Sequence, residues 1–351
     1  MVTLFQGGGA TAPAQFGTGD WSIAALGNGT TARITITTLP SNGGSAITDL
    51  EYQIDGGSWV SLAGTTTGNY DLTGLTFAVE IDVAIRAVNA VGNGTASATK
   101  AVTPFVSFAA LIAMSPELAL DPAEAGSVFQ ERTGASATTP AAVGDPVGSI
   151  RNWGTLGGWL TAPTDAARPI LRSASGRLYL EFDGVDDILL ADLAALRGVA
   201  GWTLSTKSRA NRGTGNETLL FVATTAVTST RGALFAITGA SSLVGRRANA
   251  DGAVTLSGSS HTGNDVVVTG IGDYTNTDAF IRGDGTQEAQ NLSWLTSGVT
   301  PSDGGRVCLG AVLPVEGAAV NLLSGRSYCA FEFPVVLSGA NLTMLERYEA
   351  Q

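Results

Sequence analysis

The chain has 351 residues and a formal charge of −11, with 44% hydrophobic but only 14% charged residues. That acidity opposes a nucleic-acid-binding face and adsorption to anionic membranes, and two cysteines are too few for a disulfide scaffold. Forty-six glycines, with abundant Thr, Ser and Val, favour short strands joined by tight turns over long amphipathic helices.

Residues 1–20, MVTLFQGGGATAPAQFGTGD, are too poor in large apolar groups to form a core. Val2, Leu4 and Phe5 make an apolar hook before Gly7-Gly8-Gly9, read as an anchoring tail that docks on a partner; packing on its own chain is the alternative. The first basic residue is Arg33, so no secretory leader is expected. Residues 21–104 carry alternating runs, ARITITT, LEYQI and the stretch from Val79 to Val88, with turn signals between them. This is the rhythm of a small β-sandwich. Residues 105–116 form a proline-bracketed apolar join, expected as a strand or buried crossover and far short of the ~20 residues of a membrane helix.

Residues 117–351 read as about ten to fourteen further strands, including LYLEF, GWTLSTK, TLLFVAT, DVVVTGI and SYCAFEFPVV. Two helices are expected: a short one at Leu189–Arg197, and Gly339–Ala350, where Leu342, Leu345 and Tyr348 share a face. Such a length suits a larger two-sheet jelly roll. The predicted fold class is all-β: a small sandwich, then a larger jelly roll, then a short C-terminal helix. Cys308 and Cys329 lie in strand-like text and read as buried free thiols, with a disulfide open if those strands are neighbours.

Two ordered sets of residues resemble known families. Pro40–Ile47 leading to DLEYQIDGG, and Ile85-Arg86-Ala87-Val88-Asn89 with the following Gly92-Asn93-Gly94, resemble fibronectin type III domains. The resemblance implies a spacer or mounting block. Ile81 stands where that family has a corner tyrosine, so the corner hydrogen bond is expected to be missing. Further on, Leu118–Pro122, GDPVGSIRNWG, Ala167-Arg168-Pro169, LYLEFDGVDD and the closing SGRSYCAFEFPVVLSGANLTMLERYEA are similar to the concanavalin A-like, laminin G-like jelly rolls of phage and phage-derived virion proteins. That resemblance implies a place on the virion surface, virion partners reached through the N-terminal region, and homo-oligomers.

The corner Asp183-Gly184-Val185-Asp186-Asp187 lies between two apolar runs and reads first as a turn. Its rival is a calcium site formed by Asp183, Asp186 and Asp187; no other cofactor is expected. Catalysis is disfavoured. Retaining glycosidases need two carboxylates ~5–5.5 Å apart, and Glu181, followed by Asp183 and Asp186, lacks the second glutamate of the glucanases that share such folds. His261 is the single histidine and sits in polar loop text.

Binding is better supported. Of Trp153, Trp159, Trp202 and Trp294 in the second domain, Trp153 and Trp159 lie in the glycine-rich RNWGTLGGW and Trp294 lies beside polar residues, so Trp153, Trp159 and Trp294 are the candidate sugar-stacking rings. Core filling is the alternative, and the loops after Asp251, His261, Asp273 and Asp284 are other rim positions. The expected function is a non-enzymatic virion appendage, a head fibre, spike or tail accessory protein that presents a jelly roll to host-surface carbohydrate, with no membrane insertion. A carbohydrate-active enzyme or its binding module, and a secreted adhesin, are the alternatives.

Overall fold

The computed structural model describes residues 9–223, 230–237, 240–245, 254–294, 297–300, 305–312 and 319–351. Two compact units divide the chain, Met1–Ala110 and Leu111–Gln351.

The first unit contains strands Trp21–Ala25 (β1), Ala32–Ile36 (β2), Ile47–Ile54 (β3), Val60–Ser61 (β4), Gly68–Leu72 (β5), Ile81–Asn89 (β6), Gly92–Asn93 (β7) and Lys100–Val102 (β8). One sheet runs β1-β2-β5; the other runs β4-β3-β6-β7, with β8 also on β6. Alternation explains the sandwich: Ala32, Ile34 and Ile36 are buried while Arg33 and Thr35 between them are not. Ile81 is buried opposite Val102, an apolar pair at the start of β6.

Residues 9–20 pack on their own unit. Phe16 joins the core, the Thr11 amide donates to Gly43 O at 2.8 Å, and Asn89 Nδ2 donates to Thr11 O at 2.7 Å. Val2, Leu4 and Phe5 lie outside the described residues. The join is a short helix, Phe108–Ile112 (α1), rather than a strand. Its Ala109-Ala110-Leu111 run favours helix, and the Ser107 hydroxyl receives the Ala110 amide at 3.2 Å as a cap does.

The second unit begins with Leu118–Leu120 (β9), Val128–Phe129 (β10), Ser149–Arg151 (β11), Trp159–Thr161 (β12), Ile170–Ala174 (β13), Arg177–Asp183 (β14) and Leu189–Ala191 (β15). Gly201–Ala210 (β16), Asn216–Ala223 (β17), Thr230–Ile237 (β18), Ala240–Gly245 (β19), Val254–Ser260 (β20) and Val266–Asp273 (β21) follow. Asp278–Gly283 (β22), Thr286–Asn291 (β23), Arg306–Leu309 (β24), Ser324–Phe333 (β25) and the helix Gly339–Ala350 (α2) complete it. One antiparallel sheet runs β10-β11-β12-β15-β24-β17-β18-β19-β20, and the other runs β13-β14-β25-β16-β21-β22-β23, with β9 also on β25. The fold is therefore all-β, a small sandwich followed by a two-sheet jelly roll with a short C-terminal helix.

Between the two large sheets lies one core built from Leu120, Leu180, Trp202, Leu220, Leu234 and Ile281 among others. Gly272 is required beneath Trp202, because a Cβ there would lie 2.7 Å from the indole. The segment expected as a helix at Leu189–Arg197 instead opens as β15. Leu189 pairs with Leu309 and Leu190 with Cys308, so sheet pairing overrides local helix propensity. Cys308 and Cys329 are buried on strands of different sheets and are not joined by a disulfide.

Helix α2 forms where expected and buries Leu345 and Tyr348, but also Glu346 and Glu349. Arg282 Nε meets Glu346 Oε1 at 2.6 Å. The Ser205 hydroxyl donates to Glu349 Oε2, and burial pushes the Glu349 carboxyl up to about 8.

Candidate functional site

At one edge of the larger sheet, Val128, Ile150 and Leu160 point into the core. Period-2 alternation turns their neighbours Phe129, Arg151 and Trp159 to the opposite, outer face. The register places Arg151 directly opposite Trp159. Phe129 and Trp159 meet edge to face, with ring centroids 5.4 Å apart. The Arg151 guanidinium lies 3.8 Å over the Trp153 ring, a contact worth roughly 0.5–1 kcal/mol at an exposed site. Phe129, Trp153 and Trp159 are half-buried and Arg151 is exposed, so the four make an amphipathic ledge.

Asn152 holds the loop behind the ledge. Its Oδ1 accepts the Ala119 and Gly154 amides at 2.8 and 2.9 Å, and its Nδ2 donates to Glu117 O and Gly157 O at 3.0 Å each. This buried amide spends both its acceptor and its donor group. A second support comes from Gly134, whose Cα packs so closely on Trp159 that a Cβ would sit 3.1 Å from the Trp159 Cβ. That turn is tied by Glu131 Oε1, which accepts from the Thr139 hydroxyl at 2.6 Å. The Thr139 hydrogen bond, aided by nearby amides, holds the Glu131 carboxyl down at about 2.

Trp294 takes no part in the ledge. It is 2% exposed and packs edge to face on fully buried Trp202, with centroids 5.9 Å apart. The sequence expectation of a sugar-stacking role is corrected there: the indole fills the core, because the loop after β23 folds back so that the Trp294 amide donates to Thr277 O at 2.7 Å. Sequence reasoning also missed Phe129 and Arg151. Neither stands out locally, and only the pairing of β10, β11 and β12 joins them to the tryptophans.

The acidic corner has the hydrogen bonds of a turn. Asp183 Oδ1 accepts the Val185 amide at 2.7 Å, and Asp187 Oδ2 accepts the Asp183 amide at 2.8 Å. Gly184 adopts φ 78°, a conformation that favours glycine, and Arg212 Nη2 donates to its carbonyl. Burial, and behind it the charges of Asp183, Asp186 and Glu181, push the Asp187 carboxyl up to about 6. One carboxylate oxygen from each of Asp183, Asp186 and Asp187 falls within a 4.8 Å cluster. Three oxygens supply at most half of a calcium shell of six to eight.

Glu181, the other acid considered for glycoside chemistry, is engaged by Arg172 Nε at 2.8 Å. His261 Nε2 lies 2.7 Å from Glu288 Oε1. Asp273 Oδ1 caps its own turn by accepting the Thr275 amide at 2.9 Å. Asp251 lies outside the described residues.

No protein-family model matches the chain, and no curated protein matches it. Several solved structures are similar to it. The Ruminococcus gnavus IT-sialidase CBM40 bound to α2,3-sialyllactose aligns at 14% identity and TM-score 0.36, over 42% of this chain and 83% of that one. The binding domain of botulinum neurotoxin serotype D aligns at 11% identity and TM-score 0.45, over 68% of this chain and 53% of that one. The sixth fibronectin type III domain of human fibronectin type III domain containing protein 3 aligns at 25% identity and TM-score 0.23, over 28% of this chain and 93% of that one. The neighbours thus include carbohydrate-binding and fibronectin type III domains.

Proposed function

We propose that this chain is a non-enzymatic binding protein whose jelly roll engages cell-surface carbohydrate through the Phe129–Arg151–Trp153–Trp159 ledge. The observation that carries the reading is the ledge itself: Phe129, Trp159 and the exposed Arg151 guanidinium set on one outer face by strand register, with the half-buried Trp153 ring beneath that guanidinium. Pyranose rings present flat C–H faces to aromatic planes, while a guanidinium donates to hydroxyls, so the surface suits sugar.

In this reading the chain is an appendage of a phage or gene-transfer-agent particle, a head fibre, spike or tail accessory protein. The fibronectin type III-like unit and the hook of Val2, Leu4 and Phe5 mount it on other virion proteins, and the jelly roll faces outward. The ordered landmarks from Leu118 to LYLEFDGVDD and the closing residues support this placement through their resemblance to virion jelly rolls. Homo-oligomers on a particle would raise weak single-site affinity by avidity.

The test is adherence of the full chain to bacterial cells before and after their surface polysaccharide is stripped, beside antibody labelling of purified particles. Polysaccharide-dependent adherence and particle labelling are expected. Adherence that survives stripping would remove the carbohydrate reading, and unlabelled particles would remove the virion reading.

A further inference from the structure

The second large sheet carries a pocket on its own outer face. In β14 the residues flanking Leu178, and in β16 those alternating with Leu204, turn away from the core, which sends Arg177 and Lys207 outward. A cavity of about 270 Å³ opens there, lined by Ser175, Arg177, Lys207, Asp265, Tyr328 and Asp284 among others. We infer that this pocket binds a monosaccharide bearing a carboxylate, with the anion held by Lys207 beside Arg177 and the sugar hydroxyls received by Asp265, Asp284 and Ser175.

Lys207 is the residue that calls for an anion. Among the described residues its ammonium donates only to Ala350 O at 3.3 Å and lies 5.4 Å from the Tyr328 ring, with no carboxylate in ion-pair range. An ammonium has three donors, so two are unspent. Burial, and then the like charge of Arg177, hold its pKa below the usual value.

Arg177 is a fixed charge behind it. Its side chain is 14% exposed, and it donates to Asp121 Oδ2 at 3.2 Å and Tyr348 O at 3.1 Å. Burial raises the pKa of Asp121, while the Arg177 charge and hydrogen bond pull it back down.

The acids of the lining are engaged but not exhausted. Asp265 accepts from Arg209 Nε at 2.9 Å and from the Tyr328 hydroxyl at 3.0 Å, and Asp284 Oδ1 accepts the Val267 amide at 2.9 Å. A carboxylate offers about four acceptor sites, so both can still receive hydroxyl groups. The same two acids repel a dianion such as phosphate more than a single carboxylate. The volume falls just below the ~300–1,000 Å³ of drug-sized sites, which suits one sugar ring.

The inference goes beyond the ledge reading, because the pocket lies on the other sheet and each site has its own variants. The experiment titrates the full chain with sodium glucuronate, glucose and inorganic phosphate by calorimetry or NMR. Expected are saturable glucuronate binding that weakens with salt, and glucose binding about tenfold weaker or more. K207M should lose about tenfold in glucuronate affinity, K207R should retain it, and the W153A/W159A variant should leave it unchanged. Glucose binding as tight as glucuronate, phosphate binding tighter than glucuronate, absence of saturation, or unchanged glucuronate affinity in K207M would each overturn the inference. If K207M does not fold, the glucose and phosphate arms, run on the W153A/W159A protein so that the ledge does not contribute, decide alone.

Discussion

The Tyr348 hydroxyl donates to Asp121 Oδ2 at 2.6 Å, joining the C-terminal helix to the residue after β9 across 227 positions of chain. Arg177 completes the cluster from β14. Asp121 is fully buried, so each of its contacts replaces water that the carboxyl has lost. Y348F should therefore destabilise the second unit by about 1–3 kcal/mol, and D121A by about 3–5 kcal/mol because it strands Arg177. Denaturant melts followed through the tryptophans check both values, and a D121A variant as stable as the parent would contradict the account.

The buried acids give the second unit a pH dependence of definite sign. Burial holds the Glu349 carboxyl up to about 8 against an ordinary 4.5, and the Asp187 carboxyl up to about 6 against 3.8. Both are raised, so the folded state holds protons that the unfolded chain releases. Their contribution is complete below the unfolded values and is lost as pH rises through about 6 for Asp187 and about 8 for Glu349. E349Q should remove the share of the loss that Glu349 contributes between pH 5 and 8.5, on the order of 4 kcal/mol at the upper end. Urea midpoints of parent and variant across that range provide the check; parallel curves would refute it.

Trp294 separates core from site. W294A should cost about 3–5 kcal/mol, whereas W294F should fold and leave carbohydrate binding unchanged. Loss of sugar binding in a folded W294F protein would return this residue to the site.

The acidic corner is predicted to act as a turn. G184A forces a non-glycine residue to φ 78° against Arg212 and should cost about 1–3 kcal/mol. Added calcium or chelator should leave Tm unmoved. A calcium-dependent rise of several degrees that disappears in D183N/D186N would make the corner a cation site.

Much of the fold was legible because strand alternation is local: ARITITT and LYLEF announce their buried faces from sequence alone. Leu189–Arg197 misled because its leucines and alanines favour helix while two neighbouring strands claim Leu189–Ala191. The site was half legible. Trp153 and Trp159 stand out by residue type, but Phe129 and Arg151 join them only through strand pairing, and Trp294 gives no local sign that it turns inward. The Asp121–Arg177–Tyr348 cluster and the Lys207 pocket assemble residues from distant strands, and single-chain patterning carries no record of such register.

The most direct measurement titrates the full chain with purified surface polysaccharides while following tryptophan emission, with W153A/W159A and R151A as variants and W294F as control. The account predicts saturable binding in the parent and W294F, and a loss of about tenfold or more in the folded double variant. R151A should fall between parent and double variant. Equal affinity in the parent and a folded W153A/W159A protein would contradict the ledge as the carbohydrate site.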